Sequence, residues 1–373
     1  LSENQHDRLG HITSISRIEE ERYVWLDRFT IRNLELISSP HENATTLIDV
    51  LDSTKTPMGG RMMKRWLVLP LKDLKPIQER LEAVESFYND NEVGFQLGER
   101  LKDINDLERL ISKVAVGKIN SREIVQLKRT LVQLDPIKEL VASQNSSVLK
   151  RISTQINPCE ALLETIKNTL HEDPAIQIGK GKVINDGVDK ELDELRAIAF
   201  SGKDFLNQIQ QREIERTGIT SLKISFNNVF GYYIEVRNTH KDKVPEEWIR
   251  KQTLVSAERY ITEELKEYES KILGAEEKIY AIEARLFQDL VYQMADYTQP
   301  IQYNAHLISQ LDCLLSFAEI AAQNDYVKPT MNESFAIDIK NGRHPVIEKQ
   351  LKIGEEYVSN DVFLDNDRQQ IMM

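Results

Sequence analysis

The chain is poor in cysteine, in aromatic residues and in basic charge. Cys159 and Cys313 are its only cysteines, and they lack the close spacing of a metal site, which favours a reduced, intracellular compartment. No apolar run approaches the length of a membrane span, and the first residues lack the pattern of a signal peptide. The formal net charge of −12 argues against a protein that coats nucleic acid or a membrane surface, so any contact with DNA must be local.

Patterns of catalytic residues are also scarce. No pair of carboxylates, no nucleophile with a base and no metal cluster stands out, so the residues alone support no enzymatic activity. Gly179-Lys180-Gly181 resembles a phosphate-binding loop, but no Gly-Lys-Ser/Thr pattern follows it, and a plain turn is the better interpretation. His344 has no partner in sight and is interpreted as a structural or surface histidine.

Size and composition indicate a protein of several parts. A length of 373 residues predicts two or three compact units. Hydrophobic residues make up 40% of the chain and charged residues 29%, which suits long helices with wide solvated faces. Because the chain starts at Leu1 rather than at a methionine and stops inside an apolar run at Met373, we interpret it as a fragment of a longer protein.

Strand character is concentrated in one stretch, Ser221–Tyr260. Apolar and polar side chains alternate with a period of two on both sides of a short connection from Asn227 to Gly231, which predicts a β-hairpin. Basic residues outnumber acidic residues by seven to five in this stretch, against the acidity of the whole chain. A locally basic tip of this kind is either a phosphate-binding patch or an ordinary solvated hairpin.

Two long helical patterns flank the hairpin. They run from Val188 to about Thr217 and from Ile261 to about Tyr297, or about 45 and 55 Å at the rise of an α-helix. Because the two helices have opposite chain directions and similar lengths, we predict an antiparallel pair with the hairpin at its far end.

Shorter amphipathic patterns predict a separate helical core. Thr56 and Pro57 suit the start of one of these helices, and Asp73 suits the start of the next. Leu307–Ala322 reads as a last apolar helix that returns to this core. The first helix carries an apolar stripe, interpreted as core packing, that consists of Met58, Met62, Trp66 and Leu69.

Three further segments have β-like character: Tyr23–Leu36, Phe335–Ile339 and Val346–Leu351. The sequence therefore predicts a mainly α fold. A multi-helix domain is joined to a long antiparallel helix pair that carries a small antiparallel β-sheet at its tip, and a short β-rich segment follows at the C-terminal end.

Four long stretches resemble one known family. They are LDSTKTPMGGRMMKRWLVLPL (residues 51–71), TGITSLKISFNNVFGYYIEV (217–236), RKQTLVSAERYITEELKEYESKI (250–272) and NGRHPVIEK with YVSNDVFLD (341–349 and 357–365). Through them the chain resembles the MutS family of bacterial DNA mismatch-repair proteins over essentially its whole length. Composition and periodicity alone do not supply this assignment.

The resemblance implies a division into domains. Residues 1–20 look like the end of a connector domain, and residues 21–165 with 290–330 look like a helical core and lever domain. Residues 166–289 look like a clamp that holds the DNA backbone, with its β tip at about 219–260. Residues 331–373 look like the truncated start of an α/β ATPase domain.

Two motifs of the family are missing from the chain. One is the Phe-x-Glu motif of the family's N-terminal mismatch-reading domain, a domain that this chain lacks, and the other is the Walker A loop, which is expected directly after Met373. Since the phosphates of a nucleotide need the amide nest, the lysine and the Mg²⁺-bound hydroxyl of that loop, we expect this fragment to be catalytically inactive and to hold no cofactor. The resemblance implies that the longer parent is a DNA-dependent ATPase that uses ATP and Mg²⁺.

The resemblance also implies roles for individual residues. Tyr357 is expected to stack on the adenine and Asn360 to hydrogen-bond it, as a half-site without measurable affinity in the fragment. Arg259 is expected to pair with Glu258 or with a helix carboxylate, and Tyr232 or Tyr233 packs either on a sugar or in the sheet. The candidates for phosphate contact in the clamp are Lys223, Asn227, Asn228, Arg250, Lys251, Thr253 and Ser256.

The partners implied by the resemblance are duplex DNA, a second copy of the parent in a homodimer and a MutL-type repair protein, in the nucleoid-associated cytoplasm and without a membrane. The fragment itself is expected to be a monomer or a weak dimer. Two alternatives stay open: a MutS-like paralogue that acts in recombination, and a helical scaffold that binds no DNA. The GYYIEV stretch at residues 231–236 favours the mismatch-repair branch, because paralogues without a clamp would skip it.

Overall fold

The structure is a computed structural model that describes residues 20–42, 44–227, 229, 231–352 and 354–371. The chain divides into two compact units. The first unit comprises residues 1–119, 123–164 and 292–373, and the second comprises residues 120–122 and 165–291.

The helices of the described residues are α1 (Arg28–Asn33), α2 (Leu47–Leu51), α3 (Pro57–Val68), α4 (Leu74–Asn89), α5 (Asn91–Lys102), α6 (Leu107–Ala115), α7 (Ser121–Ala142), α8 (Ser147–Gln155), α9 (Glu160–Thr169), α10 (Lys190–Thr217), α11 (Glu263–Ala295), α12 (Thr298–Asn324) and α13 (Pro345–Gln350). The strands are β1 (Lys223–Asn227), β2 (Gly231–Arg237), β3 (Ile249–Thr253), β4 (Ala257–Ile261), β5 (Ile337–Gly342) and β6 (Asn360–Leu364). Short 3₁₀ helices cover Glu20–Arg22 and Asn238–Lys243. The prediction of a mainly α fold is confirmed.

Helix α12 is the centre of the first unit, where it packs against α2, α3, α4, α5, α6 and α8. Ile308, Leu311 and Cys313 on this helix are fully buried. Its polar residues Asn304 and Asp312 are buried as well, which fits a helix in the interior of a bundle.

The carboxylate of Asp312 on α12 holds the start of α3. It accepts hydrogen bonds from the backbone N–H groups of Lys55 and Thr56, each at 2.8 Å, and from the Thr56 hydroxyl at 2.7 Å. Burial raises the pKa of Asp312, although these hydrogen bonds oppose the rise. A Cβ atom on Gly59 would lie 2.2 Å from the Asp312 carboxylate, so only glycine leaves room for this approach.

The expected start of α3 is confirmed, since the Thr56 hydroxyl accepts a hydrogen bond from the Gly59 N–H at 2.9 Å. The apolar stripe of α3 is only partly as predicted. Met58 is buried, but Met63 rather than Met62 is the second buried methionine, and Trp66 is half-buried, with its ring 6.2 Å from that of Phe317.

Two of the predicted strands are wrong. Within Tyr23–Leu36 the main element is the helix α1, because Asp27 caps it by accepting a hydrogen bond from the Thr30 N–H at 2.7 Å; only Tyr23 makes an isolated β-bridge, to Leu71. Val346–Leu351 lies mainly in the helix α13, which begins at Pro345. The His344 ring caps α13 by accepting from the Ile347 N–H at 3.3 Å, so this histidine has a structural role. Phe335–Ile339 overlaps β5, which pairs with β6 in a two-stranded antiparallel sheet.

In the second unit, α10 and α11 form the predicted antiparallel pair. Near one end Arg212 contacts Glu264 at 2.5 Å, and near the other Arg285 contacts Asp189 at 3.1 Å. Between them, the buried carboxylate of Glu283 pairs with Arg196 at 2.5 Å. Residue numbers rise along one helix as they fall along the other, which is the signature of an antiparallel arrangement.

The four strands of the second unit form one antiparallel sheet in the order β1-β2-β4-β3. One face of the sheet packs on the helix pair. The buried cluster between them contains Leu206 and Ile209 of α10, Leu265 and Ile272 of α11, and Ile234, Val236, Trp248 and Tyr260 of the sheet region. The helices therefore hold the sheet by an apolar contact and leave its other face and its edges free to carry polar side chains.

Candidate nucleic-acid interface

The outer face of the sheet carries a row of polar residues. Lys223 of β1 lies opposite Glu235 of β2, Glu235 lies opposite Arg259 of β4, and Arg259 lies opposite Gln252 of β3. Side chains alternate between the faces of a strand, so the row lies opposite to the buried Ile234 and Tyr260.

Arg259 in the middle of this row is already satisfied. Its guanidinium donates to Glu235 at 3.1 Å and to Gln252 at 2.9 Å, and it covers the Tyr233 ring at 4.3 Å. The expected pairing with Glu258 or a helix carboxylate is therefore wrong, because the register places Glu235 directly opposite. Tyr233 is buried beneath the guanidinium, while Tyr232 packs at 5.1 Å from Phe226.

Two lysines at the edges of the sheet are exposed. Lys223 lies on the outer strand β1, and Lys251 lies on the opposite outer strand, β3. The register between β3 and β4 shifts between Arg250 and Gln252, so Lys251 is the extra residue of a β-bulge, which re-aims a side chain away from the regular sheet. In the part of the chain that the structure describes, no ion pair is recorded for either lysine, and both are available to an anionic partner.

Arg250, in contrast, has a partner within the sheet. Its guanidinium lies 3.3 Å from the Glu258 carboxylate, which also accepts a hydrogen bond from the Tyr260 hydroxyl. That bond and Arg250 hold the pKa of Glu258 below its ordinary value. Burial, and then the Glu258 charge, raise the pKa of Tyr260 to about 12. Arg250 must therefore share its charge between this carboxylate and any phosphate.

Thr253 and Ser256 lie at the turn between β3 and β4, and both are exposed. The turn is held from outside by Asn238, whose N–H donates to the Ser256 carbonyl at 3.1 Å and whose side-chain amide donates to the Val255 carbonyl at 3.0 Å. Val255 at the tip is fully exposed. The sequence pattern did not reveal the role of Asn238, since it depends on a contact across 17 residues.

Asn227 shapes the turn between β1 and β2, because its side-chain oxygen accepts a hydrogen bond from the Val229 N–H at 2.7 Å. Asn228 lies outside the described residues. Gly231 has φ +74°, and Glu269 of α11 approaches it so closely that a Cβ atom would lie 1.9 Å from the carboxylate. The same carboxylate accepts a hydrogen bond from the Tyr232 N–H at 3.2 Å, so the turn is fastened to α11.

The 3₁₀ helix Asn238–Lys243 adds basic residues that are not among the predicted phosphate contacts. Lys241 and Lys243 are exposed there, and His240 is half-buried. Lys241 is close enough to contribute to the lowered pKa of Glu258, after the contributions of Tyr260 and Arg250. The sequence signal for these residues is the density of basic side chains. They were not selected because they lie outside the segments in which apolar and polar residues alternate.

The two residues of the expected nucleotide half-site lie near β6 in the first unit. Tyr357 is half-buried in the segment before the strand, and Asn360 is its exposed first residue. The Asn360 side-chain amide donates to the Val358 carbonyl at 3.2 Å. Opposite Asn360 stands Gly342, where a Cβ atom would lie 3.0 Å from the Asn360 carbonyl oxygen. The pairing of β5 with β6 is irregular next to this position, because the register shifts between Ile339 and Gly342.

The described residues contain no group of three or more histidine, cysteine, aspartate or glutamate side chains suited to a metal ion. Among the helices of the same residues, none combines the length and the apolar character that crossing a membrane requires.

Comparison with known proteins gives one consistent result. The sequence pattern of MutS domain III matches residues 29–318. Over its 373 residues, the chain is 60% identical to the DNA mismatch repair protein MutS of Flavobacterium johnsoniae and 58% identical to that of Parabacteroides distasonis. It is 59% identical to the MutS protein of Cytophaga hutchinsonii. These alignments cover all of this chain but only 43 to 44% of the relatives, so the chain spans less than half of their length.

Proposed function

Since the chain belongs to the MutS family, we propose that it serves DNA mismatch repair and that its second unit clamps duplex DNA without reading base sequence. In this proposal residues 166–289 are the clamp, residues 21–165 with 290–330 are the core and lever domain, and residues 331–373 begin an ATPase domain. Residues 1–20 end a connector domain, and most of them lie outside the described part of the chain.

The observation that carries the clamp proposal is the pair of exposed, unpaired lysines on the outer strands of the sheet. Three strand spacings separate β1 from β3, or about 14 Å at 4.8 Å per spacing. Lys223 and Lys251 are therefore proposed to contact different phosphates. Asn227, Asn228, Thr253 and Ser256 are proposed to add neutral hydrogen bonds, and Arg250 a shared charge. Contacts of this kind position a protein on DNA without specifying a sequence.

Binding of a labelled 30-base-pair duplex, measured by fluorescence anisotropy across a salt series, tests the clamp. We expect weak binding that is equal for matched and mismatched duplexes. The variant Lys223→Glu/Lys251→Glu should bind more weakly, and the slope of log K against log salt should fall by about 2, since each phosphate contact contributes about 0.9. The control variant Lys180→Glu/Lys278→Glu makes the same charge change at exposed positions in a turn and on α11, and should bind as the unmodified chain does.

Two results would count against the clamp. If both double variants lose binding equally, the effect is one of net charge and not of the sheet. If the unmodified chain does not bind at low salt, the titration is repeated with the full-length parent. Absence of binding there would support the helical scaffold, whereas binding by the parent alone would mean that the clamp needs the other domains. The names of the relatives favour neither the scaffold nor the recombination paralogue.

For the nucleotide, we propose that Tyr357 and Asn360 hold the adenine once the rest of the ATPase domain is present. ATP and Mg²⁺ are then cofactors of the longer parent, a DNA-dependent ATPase. The 373-residue sequence contains no G-x-x-x-x-G-K-[ST] pattern, and without the amide nest of that loop the phosphates have no site. We expect no steady-state ATP hydrolysis by this chain; a rate above the blank that survives purification would contradict the proposal.

The long helices α10 and α11 are proposed to act as a lever between DNA and the ATPase site of the parent. The ion pair of the buried Glu283 with Arg196 joins the two helices, which supports a mechanical link, and the coupling itself needs a direct test. Shortening both helices by one turn in the parent should uncouple DNA binding from ATP turnover; unchanged stimulation of the ATPase by DNA would refute this role. A homodimer of the parent, a MutL-type partner and a nucleoid location in the cytoplasm complete the proposal.

A further inference from the structure

The first unit contains a cavity of about 690 Å³ with mostly apolar walls. It lies among α3, α4, α12 and the residues that follow α12. The apolar part of the lining includes Trp66, Leu67, Leu81, Val84, Phe317 and Ile320. A cavity of this size falls in the range of small-molecule sites, which combine apolar walls with a few polar groups.

Arg80 supplies a positive charge in this wall. Its guanidinium lies on the ring of Trp66, with Cζ 3.5 Å from the ring centroid. Burial lowers the pKa of Arg80 to about 10, and in the described residues no carboxylate pairs with it. The nearby acids are engaged elsewhere, because Glu79 pairs with Arg151 at 2.9 Å and Glu85 pairs with Lys328 at 2.7 Å. Arg80 is therefore a partly buried cation without a counter-charge, an arrangement that costs free energy.

Tyr326 adds a polar group without a partner to the same lining. Its hydroxyl oxygen is buried and has no hydrogen-bond partner among the described residues. A buried hydroxyl without a partner is uncommon in folded proteins and calls for an explanation. Arg80, which has no paired carboxylate among the described residues, and the Tyr326 hydroxyl thus line one largely apolar cavity, beside the ion pair of Glu85 with Lys328.

We propose that this cavity binds a small amphipathic monocarboxylate. Its apolar body lies against Trp66 and Phe317, its carboxylate pairs with Arg80, and Tyr326 donates a hydrogen bond to it. A purely apolar ligand leaves both polar groups unsatisfied. A polyanion such as a nucleotide does not match walls that offer one unpaired guanidinium and a largely apolar surface. The cavity and its polar groups lie within the first unit, so the inference is independent of the DNA clamp.

The test compares decanoate with decanol, which share an alkyl chain and differ in charge. Binding to the 373-residue chain is measured by titration calorimetry below the micellar range. We expect saturable binding of one decanoate per chain, at least about tenfold tighter than that of decanol, because a charge-assisted bond to a desolvated arginine is lost with the alcohol. Failure of decanoate to saturate, or equal binding of the two ligands, overturns the proposal.

Variants locate the site. Arg80→Gln should abolish the preference for decanoate and leave decanol binding unchanged. Tyr326→Phe keeps the ring and should weaken decanoate binding by about two- to tenfold. Arg109→Gln, which changes an exposed arginine paired with Asp106, is the matched control and should bind normally. If Arg109→Gln loses decanoate as Arg80→Gln does, the arginine of the cavity is not the anchor and the proposal fails.

A fluorescence measurement decides the question even if Arg80→Gln does not fold. A brominated decanoate quenches a tryptophan that it touches, and Trp66 lines the cavity, whereas Trp25 and Trp248 are not part of its lining. We expect saturable quenching that disappears in Trp66→Phe. Quenching that persists in this variant places the ligand elsewhere and refutes the site.

Discussion

Two adjacent glycines in α3 provide the sharpest test of the packing in the first unit. Gly59 and Gly60 both lie inside the helix, so replacing either with alanine should by propensity alone stabilise the protein by about 1 kcal/mol. Their surroundings differ. A Cβ atom on Gly60 would meet its nearest neighbour, Thr54, at an ordinary 3.5 Å, whereas a Cβ atom on Gly59 would lie 2.2 Å from the Asp312 carboxylate.

The cost at Gly59 follows from what Asp312 does. To reach an ordinary contact the carboxylate must retreat by about 1 Å, and at hydrogen-bond lengths of 2.7 to 2.8 Å that displacement breaks at least one of its three bonds. A hydrogen bond to a charged group contributes about 1.5 to 3 kcal/mol. After the gain in helix propensity, Gly59→Ala should lower the free energy of unfolding by about 0.5 to 5 kcal/mol, depending on whether one or two bonds break.

Urea denaturation followed by circular dichroism at 222 nm measures both variants, with the transition of the first unit separated by its own midpoint. We expect a lower midpoint for Gly59→Ala and an unchanged or higher midpoint for Gly60→Ala. Equal midpoints for the two variants would refute the reasoning, since propensity treats both positions alike and only the contact with Asp312 distinguishes them.

Three further predictions concern the second unit. Gly231→Ala should lower its stability by about 1 to 3 kcal/mol, because it combines φ +74° with the Glu269 contact, whereas Gly218→Ala, with φ +68° and open space around it, should cost less; thermal melts compare them. Arg196→Gln removes the partner of the buried Glu283 and should cost about 3 to 5 kcal/mol, whereas Arg285→Gln at the more exposed pair with Asp189 should cost under about 1 kcal/mol; similar losses in urea titrations would contradict the difference in burial. Finally, Tyr260 should ionise near pH 12, and Glu258→Gln should move this ionisation to lower pH, because a tyrosinate no longer faces a carboxylate; an ultraviolet titration in which Glu258→Gln leaves the tyrosine curve unchanged would exclude the contact.

The sequence predicted the elements whose signal is long and regular. Helices α10 and α11 span 28 and 33 residues. An apolar pattern with the period of an α-helix that continues over such lengths cannot be mistaken for the two-residue period of a strand. The β1–β2 hairpin was equally clear, because apolar and polar side chains alternate on both sides of Asn227–Gly231, whereas its register is known from the structure. Short segments were harder: Val346–Leu351 begins with two β-branched residues, but it forms a helix because His344 caps it and Pro345 is its first residue.

The parts that the sequence could not reveal depend on contacts between distant residues. The bulge at Lys251 arises from the pairing of β3 with β4, and no local sequence pattern predicts it. The same holds for the contact of Arg259 with Glu235, across 24 residues, and of Asp312 with Lys55, across 257. Lys223, Lys251 and the other proposed DNA contacts stay predictions, since exposure makes a side chain available but does not identify its partner.

The central position of α12 has a consequence for how the protein is made. Helices α2 to α6 pack on a helix that leaves the ribosome about 180 to 250 residues later, a delay of about 10 to 50 s at 5 to 20 residues per second. Unit two, from residue 165 to residue 291, is complete before α12 emerges. During synthesis the N-terminal helices therefore lack the helix that covers their apolar faces. A nascent chain from which α12 has not yet emerged contains a complete second unit and a first unit without its central helix.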